Sequence, residues 1–184
     1  MPSTGFWWAE SRAVGCRYRL RQGLARTATL WRPPDTRPAQ EALSAEAFEL
    51  FRTMSAADQG HALAVLRLLR GEGPVSPDLS AAALLHDVGK ADGGLTLPYR
   101  TAIVLLETFW PQTLKRLCGY AEGSWRAPFA ADAHHAVIGA ERCLAAGCSM
   151  RTVALVRYHD VALEAVSSDL CVDLERLKRA DDAS

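Results

Sequence analysis

The chain has 184 residues, of which 49% are hydrophobic and 23% are charged, with 21 acidic and 21 basic residues. These values are ordinary for a globular protein and exclude a disordered chain, a collagen-like repeat and an extended charged coil. The balanced net charge gives no argument for a nucleic-acid partner. At this length we expect one domain, over residues 41–184, preceded by a distinct N-terminal segment over residues 1–40.

The N-terminal segment is basic and carries an aromatic cluster. It contains seven arginines against Glu10 and Asp35, and it includes Phe6, Trp7 and Trp8. Contact with a membrane surface, or targeting, is one interpretation of such an Arg-rich, acid-poor segment. We favour the other interpretation, a helix lying on the domain or a partly ordered terminus, because the long apolar run of a signal peptide is missing.

Signals for helix starts and ends recur along the chain. An Arg-rich segment over 10–31 stops at Pro33-Pro34, and an apolar-periodic stretch follows from 40 to Met54. Ser55 and Asp58 resemble a capping box. The helix that follows ends near two glycines and places four residues on one stripe: His61, Val65, Leu68 and Leu69.

The next predicted helix is the most apolar one. Ser76-Pro77 is typical of an N-cap followed by proline at the first helical position, and the helix runs to the His86-Asp87 pair before Gly89. Because this helix is apolar on every side, we expect it to be central and buried. Five further helices are predicted, over 97–109, 111–120, 131–146, 150–160 and 168–182.

The predicted fold class is all-α, a compact helical bundle, since no segment shows the period-2 alternation of a strand. Five cysteines are present, odd in number and without a CxxC pair: Cys16, Cys118, Cys143, Cys148 and Cys171. We expect them to be reduced, mostly buried side chains in a cytoplasmic protein. A zinc site at Cys143 and Cys148 would need ligands that the sequence does not offer.

The histidines are the candidate functional residues. Each of the five lies on a predicted helix or at a helix end: His61, His86, His134, His135 and His159. Taken singly, each has an ordinary explanation, such as a hydrogen-bonded core histidine or a chance His-Asp pair. Imidazoles and carboxylates gathered from several helices are, however, what a bundle uses to hold transition metals in its core.

Four local sequences carry a family resemblance. They read Leu-Leu-His86-Asp87-Val-Gly-Lys90, His135-Ala-Val-Ile-Gly139-Ala-Glu141, Val-Arg-Tyr-His159 and Leu-Lys-Arg-Ala-Asp181, and His61 precedes them. In this order they resemble the HD-domain superfamily of metal-dependent phosphohydrolases, in its HDIG-like branch, over about residues 50–182. The resemblance implies an HD-type helical bundle with a metal site in its core.

The resemblance also implies a ligand set. The first metal would be held by His61, His86, Asp87 and Asp181, and the second by Asp87, His135 and His159, with Asp87 bridging. Because a histidine stands in both intervening blocks, a dinuclear site of divalent transition metals is favoured, with iron or manganese preferred over zinc. Asp87 would also position the attacking water.

Three assignments stay open at the level of sequence. His134 and His135 compete for one role, and we choose His135 from its four-residue offset to Gly139. Asp181 and Asp182 compete likewise, and Ala180-Asp181 fits the family's Ala-Asp better. Lys90 is either a contact to substrate phosphate or a solvated lysine favoured by the helix dipole.

The expected function is hydrolysis of a phosphoester or phosphoanhydride, with a small phosphorylated molecule, a nucleotide, as the substrate. The layout resembles small HD hydrolases that cleave diadenosine tetraphosphate. It departs from the cyclic-di-GMP phosphodiesterases and from the (p)ppGpp hydrolases, whose additional motifs are missing. Two alternatives remain open: a di-iron oxygenase with nearly the same ligands, and an inactive regulatory module that binds metal or nucleotide.

Overall fold

The structure, a computed structural model, describes residues 33–91, 97–119, 125–163 and 167–184. These residues form an all-α bundle without a strand among them, which confirms the predicted fold class. Nine α-helices and one 3₁₀ turn follow in chain order: α1 Arg37–Ala42, α2 Ala45–Arg52, α3 Ala56–Gly71, α4 Pro77–Leu85, the 3₁₀ turn Val88–Lys90, α5 Leu97–Phe109, α6 Pro111–Leu117, α7 Ala127–Ala145, α8 Met150–Tyr158 and α9 Ser168–Ala183.

Serine caps set the start of four helices. At each, the serine hydroxyl accepts a hydrogen bond from the backbone N–H three residues later, which satisfies one of the free donors at the helix N-terminus. The four capping residues are Ser44, Ser55, Ser76 and Ser149. The predicted helix starts at Ser55 and Ser76, and the predicted start at residue 150, are therefore confirmed.

Helix α4 lies at the centre of the bundle. It packs against α3, α8 and α9, and α1 also contacts it. Most of α4 is buried, and the aliphatic side chains Leu79, Leu84 and Leu85 are completely inaccessible. The prediction of a central, buried helix is confirmed, and its C-terminal end delivers His86 and Asp87 into the interior.

Some predicted boundaries were wrong. The stretch 40–54 forms two helices rather than one, because Ser44 caps a new helix directly after α1 ends. Helix α7 begins at Ala127, four residues before its predicted start, with Pro128 in its first turn. Leu68 lies outside the buried stripe of α3 and is 39% exposed.

Residue 40, next to which the predicted domain begins, lies inside a helix. Helix α1 crosses residue 40, and Ala39 is buried in the core.

The described cysteines are less buried than the sequence led us to expect. Of the four described cysteines, all free thiols, Cys143 alone is buried, so the expectation of mostly buried cysteines was wrong. The predicted helix 10–31 and Cys16 lie outside the described residues. Among the helices of the described part, none combines the length and apolarity needed to cross a membrane.

Two glycines allow the 3₁₀ turn to pack directly on α7. A Cβ atom added at Gly89 would overlap the backbone carbonyl of His135 and lie 2.8 Å from the backbone nitrogen of Gly139. A Cβ atom at Gly139 would in turn lie 3.3 Å from the backbone nitrogen of Gly89. Close backbone contact therefore fixes the segment after His86-Asp87 against the helix that carries His135.

Gly89→Ala tests this contact. The new methyl group meets backbone atoms that cannot rotate away, so we expect a loss of about 1–3 kcal/mol or more in the free energy of unfolding. The matched control is Gly60→Ala within α3, where an added Cβ meets nothing within 4 Å. There we expect a gain of about 0.5–1 kcal/mol. Urea denaturation measures both, and equal effects of the two substitutions would contradict the close packing.

Candidate metal centre

Five segments of the bundle deliver side chains to one place. His61 lies in α3, His86 is the C-cap residue of α4, and Asp87 follows it. The other three come from α7, the C-terminal end of α8, and the last turn of α9: His135, His159 and Asp181. All six candidate ligands inferred from the sequence therefore converge in the core of the bundle.

The six residues form two groups that could each hold a metal ion. In each group, one nitrogen or oxygen atom per residue lies within 4.8 Å of the others. The first group contains His61, His86 and Asp181. His61 Nε2 is 2.7 Å from Asp181 Oδ1, and His86 Nε2 is 3.6 Å from the same oxygen.

The second group contains Asp87, His135 and His159. His135 Nε2 and His159 Nε2 are 3.1 Å apart. Asp87 Oδ1 lies 3.5 Å from His135 Nε2 and 4.0 Å from His159 Nε2. Two imidazole nitrogens and one carboxylate oxygen thus face a common point, a ligand set suited to iron, manganese or zinc.

Asp87 stands between the two groups. Its Oδ1 faces the second group, while its Oδ2 lies 3.8 Å from His86 Nε2 in the first. The side chain is only 5% exposed. A carboxylate with one oxygen toward each group is placed to bridge two cations.

Hydrogen bonds at Nδ1 orient all four rings. His86 Nδ1 donates to the carbonyl of Ala83, His135 Nδ1 to that of Asp132, and His159 Nδ1 to that of Val156, at 3.0, 2.5 and 2.7 Å. Each acceptor lies three residues before its histidine. A carbonyl can only accept, so the ring proton must be on Nδ1, and in the neutral ring Nε2 is left with a free lone pair.

His61 is held by a side chain instead of a carbonyl. The hydroxyl of Ser184 donates to the carbonyl of Asp181 and lies 2.8 Å from His61 Nδ1. Because the single hydroxyl proton is used in that bond, the hydroxyl accepts from His61 Nδ1. Donation from the second ring nitrogen is the usual arrangement around metal-binding histidines, since it fixes ring orientation and tautomer.

The Nε2 atoms of the four rings converge on the carboxylates and on one another. His86 Nε2 is buried and makes no hydrogen bond with any described residue. His61 Nε2 faces a carboxylate oxygen, and the Nε2 atoms of His135 and His159 face each other. Lone pairs placed against lone pairs need a cation or extra protons between them. The residues present therefore fit a metal ion.

The electrostatics favour ionised carboxylates and a neutral His159. Burial alone would raise the pKa of Asp87, but the positive charge of Lys90, the largest opposing effect, holds it well below its usual range. The nearby rings of His61 and His86 likewise outweigh burial and lower the pKa of Asp181. Burial, with the charge of His86, lowers the pKa of His159 to about 4. Anionic carboxylates and neutral imidazoles are the metal-binding forms.

Lys90 is an internal ion-pair partner. Its Nζ lies 2.7 Å from Asp87 Oδ1, and its side chain is 16% exposed. Burial would lower the pKa of Lys90, but Asp87, Asp132 and Asp58 outweigh that effect and raise it. The interpretation of Lys90 as a solvated lysine at a helix end is therefore wrong. Lys90 instead places a positive charge beside the second group.

The structure distinguishes the neighbouring candidate ligands between which the sequence left the choice open. His134 is exposed on α7, whereas its neighbour His135 points into the second group. Asp182 is exposed, whereas Asp181 belongs to the first group. Asp160, which follows His159, is exposed, and the carbonyl of Val156 accepts the hydrogen bond that orients the His159 ring.

Three residues near the site were missed at the sequence level. Asp58 and Asp132 act on Lys90, and each precedes a site histidine by three residues, a spacing that puts both on one helix face. That repeated Asp-x-x-His spacing, before His61 and before His135, was the available signal. Ser184 could not be found in this way, because it meets His61 from a distant part of the chain.

The chain matches no model of a known protein family, no curated protein and no solved structure. The resemblance to HD-domain hydrolases therefore rests on the chain's own motifs. Independently of that resemblance, the described residues include two neighbouring His/Asp groups that could hold metal ions.

Removing single ligands tests the metal centre. We expect protein reconstituted with manganese or iron to hold about two ions per chain. His86→Ala and His135→Ala should each lower that content, because each removes one of the nitrogens that converge in a group. Elemental analysis after desalting measures it.

His134→Ala is the matched control, since this neighbouring histidine is exposed on the same helix. It should bind metal as the unmodified protein does. Equal metal content in His134→Ala and His135→Ala, both folded by circular dichroism, would contradict the assignment.

Proposed function

We propose that this protein is an HD-type, metal-dependent phosphohydrolase that cleaves a phosphoester or phosphoanhydride of a small phosphorylated molecule, a nucleotide. The observation that carries the proposal is the position of Asp87, whose two carboxylate oxygens face two separate His/Asp groups. In the HD-like motif order, that residue is the one implied to bridge two cations. Two cations beside each other are a recurring solution for phosphoryl transfer.

Each group has a clear share in holding metal. His61, His86 and Asp181 would hold one ion, His135 and His159 the other, and Asp87 both. When bound, divalent cations neutralise phosphate oxygens and lower the pKa of a water molecule, which makes it a nucleophile at neutral pH. Iron or manganese suits the mixed nitrogen and oxygen donors, with zinc less favoured.

The chain's own residues supply orientation and charge. Asp87 stays anionic, because its pKa is held far below neutrality, and it can accept a hydrogen bond from the attacking water. The Nδ1 bonds to backbone carbonyls keep the rings of His86, His135 and His159 from turning. A site with fixed rings and ionised carboxylates loses little free energy to reorganisation during the reaction.

Lys90 favours an anionic substrate. Its ammonium group lies at the Oδ1 side of Asp87, next to the second group. A phosphate oxygen that reaches this point would gain a charge-assisted hydrogen bond. The side chain of Asp181 is 34% exposed, more than the side chains of Lys90 and Asp87. Solvent can therefore reach the first group.

Hydrolysis can be tested with two phosphate probes. We expect manganese- or iron-loaded protein to cleave bis(4-nitrophenyl) phosphate or diadenosine tetraphosphate. In ¹⁸O-labelled water, the label should enter the product phosphate. Asp87→Asn and Asp181→Asn should each lower kcat/KM by at least about 100-fold, because both remove a carboxylate ligand.

Asp182→Asn is the control, since Asp182 is exposed in the same last turn of α9 as Asp181. This variant should retain activity. If the iron-loaded protein instead consumes dioxygen when substrate is added, the function is oxygenation and not hydrolysis. Tight nucleotide binding with no product from either probe would instead indicate a binding module.

Lys90→Ala separates substrate binding from metal binding. We expect kcat/KM to fall by about 10- to 100-fold, the size expected for loss of a hydrogen bond to a charged group, with metal content unchanged. Steady-state kinetics and elemental analysis on the same preparation measure both. Unchanged kinetics, or a loss of activity that follows a loss of metal, would contradict a direct role at the phosphate.

A further inference from the structure

The turn between α7 and α8 brings two cysteines together, away from the His/Asp groups. Gly147 follows the end of α7 with a φ of +73°. The backbone nitrogen of Cys148 donates to the carbonyl of Cys143, and that of Gly147 to the carbonyl of Leu144, both at 3.0 Å. This pair of bonds, with glycine in the left-handed conformation, is a Schellman motif.

A Schellman motif places two side chains against each other. The residue three positions inside the helix end contacts the residue just beyond the glycine, and that contact is ordinarily between apolar groups. Here the two positions hold Cys143 and Cys148. The two thiols influence each other, since each is the main cause of the other's pKa shift. The backbone motif thus places the two cysteine side chains next to each other.

The two thiols differ in accessibility. Cys143 is completely buried in the core, whereas Cys148 is half-buried and can be reached from solvent. The hydrogen bond from Cys143 lowers the pKa of Cys148 to about 7, and it raises that of Cys143. The more accessible thiol, that of Cys148, is therefore the better nucleophile, and the buried Cys143 is its neighbour across the turn. By contrast, burial raises the pKa of Cys118.

We propose that Cys143 and Cys148 form a redox-active dithiol, which closes to an intramolecular disulfide by exchange with a small-molecule disulfide such as oxidised glutathione. In the first step, the Cys148 thiolate attacks one sulfur of the disulfide, forms a mixed disulfide and releases one glutathione thiolate. Cys143 then loses its proton and attacks the Cys148 sulfur, which expels the second glutathione thiolate. Overall, two protein thiols are oxidised, one disulfide is reduced to two thiols, and the two protons end on glutathione.

This dithiol is independent of the proposed hydrolase site. Cys143 lies eight residues after His135 on α7, about 12 Å along the helix axis. Cys148 directly precedes Ser149, the N-cap of α8, and His159 is at the other end of that helix. The motif therefore joins the two helices that carry the second group, at their ends remote from it.

The decisive measurement uses the unmodified protein in glutathione buffers of graded oxidation state. After quenching by alkylation, peptide mass spectrometry should find a Cys143–Cys148 disulfide that appears in one two-electron transition. Cys118 and Cys171 should remain alkylated, which makes them internal controls. Folded protein that shows no such disulfide at any glutathione ratio would overturn the proposal.

The variant Cys143→Ala isolates the first step. Without the buried partner, the mixed disulfide at Cys148 has no resolving thiol, so it should accumulate with a mass gain of one glutathione. The alkylation rate of Cys148 at pH 7 should also fall about threefold, as its pKa returns toward the ordinary value. Faster glutathione addition at Cys118 or Cys171 than at Cys148 would contradict the assignment of the nucleophile.

Discussion

A buried carboxylate is the constraint on which this structure depends. Asp87 is almost inaccessible, and an ionised carboxylate in the interior is costly unless opposite charges and hydrogen-bond donors surround it. Lys90 supplies one such charge at 2.7 Å. Because the histidine rings donate their Nδ1 protons elsewhere, their Nε2 lone pairs point inward, and a cation is what satisfies them and Asp87 together.

The bundle is built to hold that arrangement. The apolar helix α4 is buried over most of its length and has His86 as its C-cap, so its position fixes where the His-Asp pair lies. Gly89 then lets the chain pack against the backbone of α7 at His135. A larger residue at this point would push α7 away and separate the second group from Asp87. Stability of the core and geometry of the site therefore rest on the same contacts.

Much of this could be predicted from the sequence, for identifiable reasons. Serine caps, prolines and apolar periodicity are local signals, and they predicted an all-α fold and a central α4. The site residues followed from short motifs around His86, His135 and Asp181. What the sequence could not provide was long-range. Helical direction does not separate His134 from His135, since neighbouring residues differ by about 100° around a helix and both flank the apolar stripe. The ion pair that buries Lys90 and the backbone contact at Gly89 depend on how α7 meets the 3₁₀ turn, which no single segment encodes.

The central claim is that the two His/Asp groups hold two metal ions bridged by Asp87. Anomalous X-ray diffraction at the manganese absorption edge, from crystals of the manganese-loaded protein, tests it most directly. The account predicts two anomalous peaks, one among His61, His86 and Asp181 and one among His135 and His159, with Asp87 between them. A fully loaded crystal with no peak at either group, or with peaks only at surface carboxylates, would contradict it.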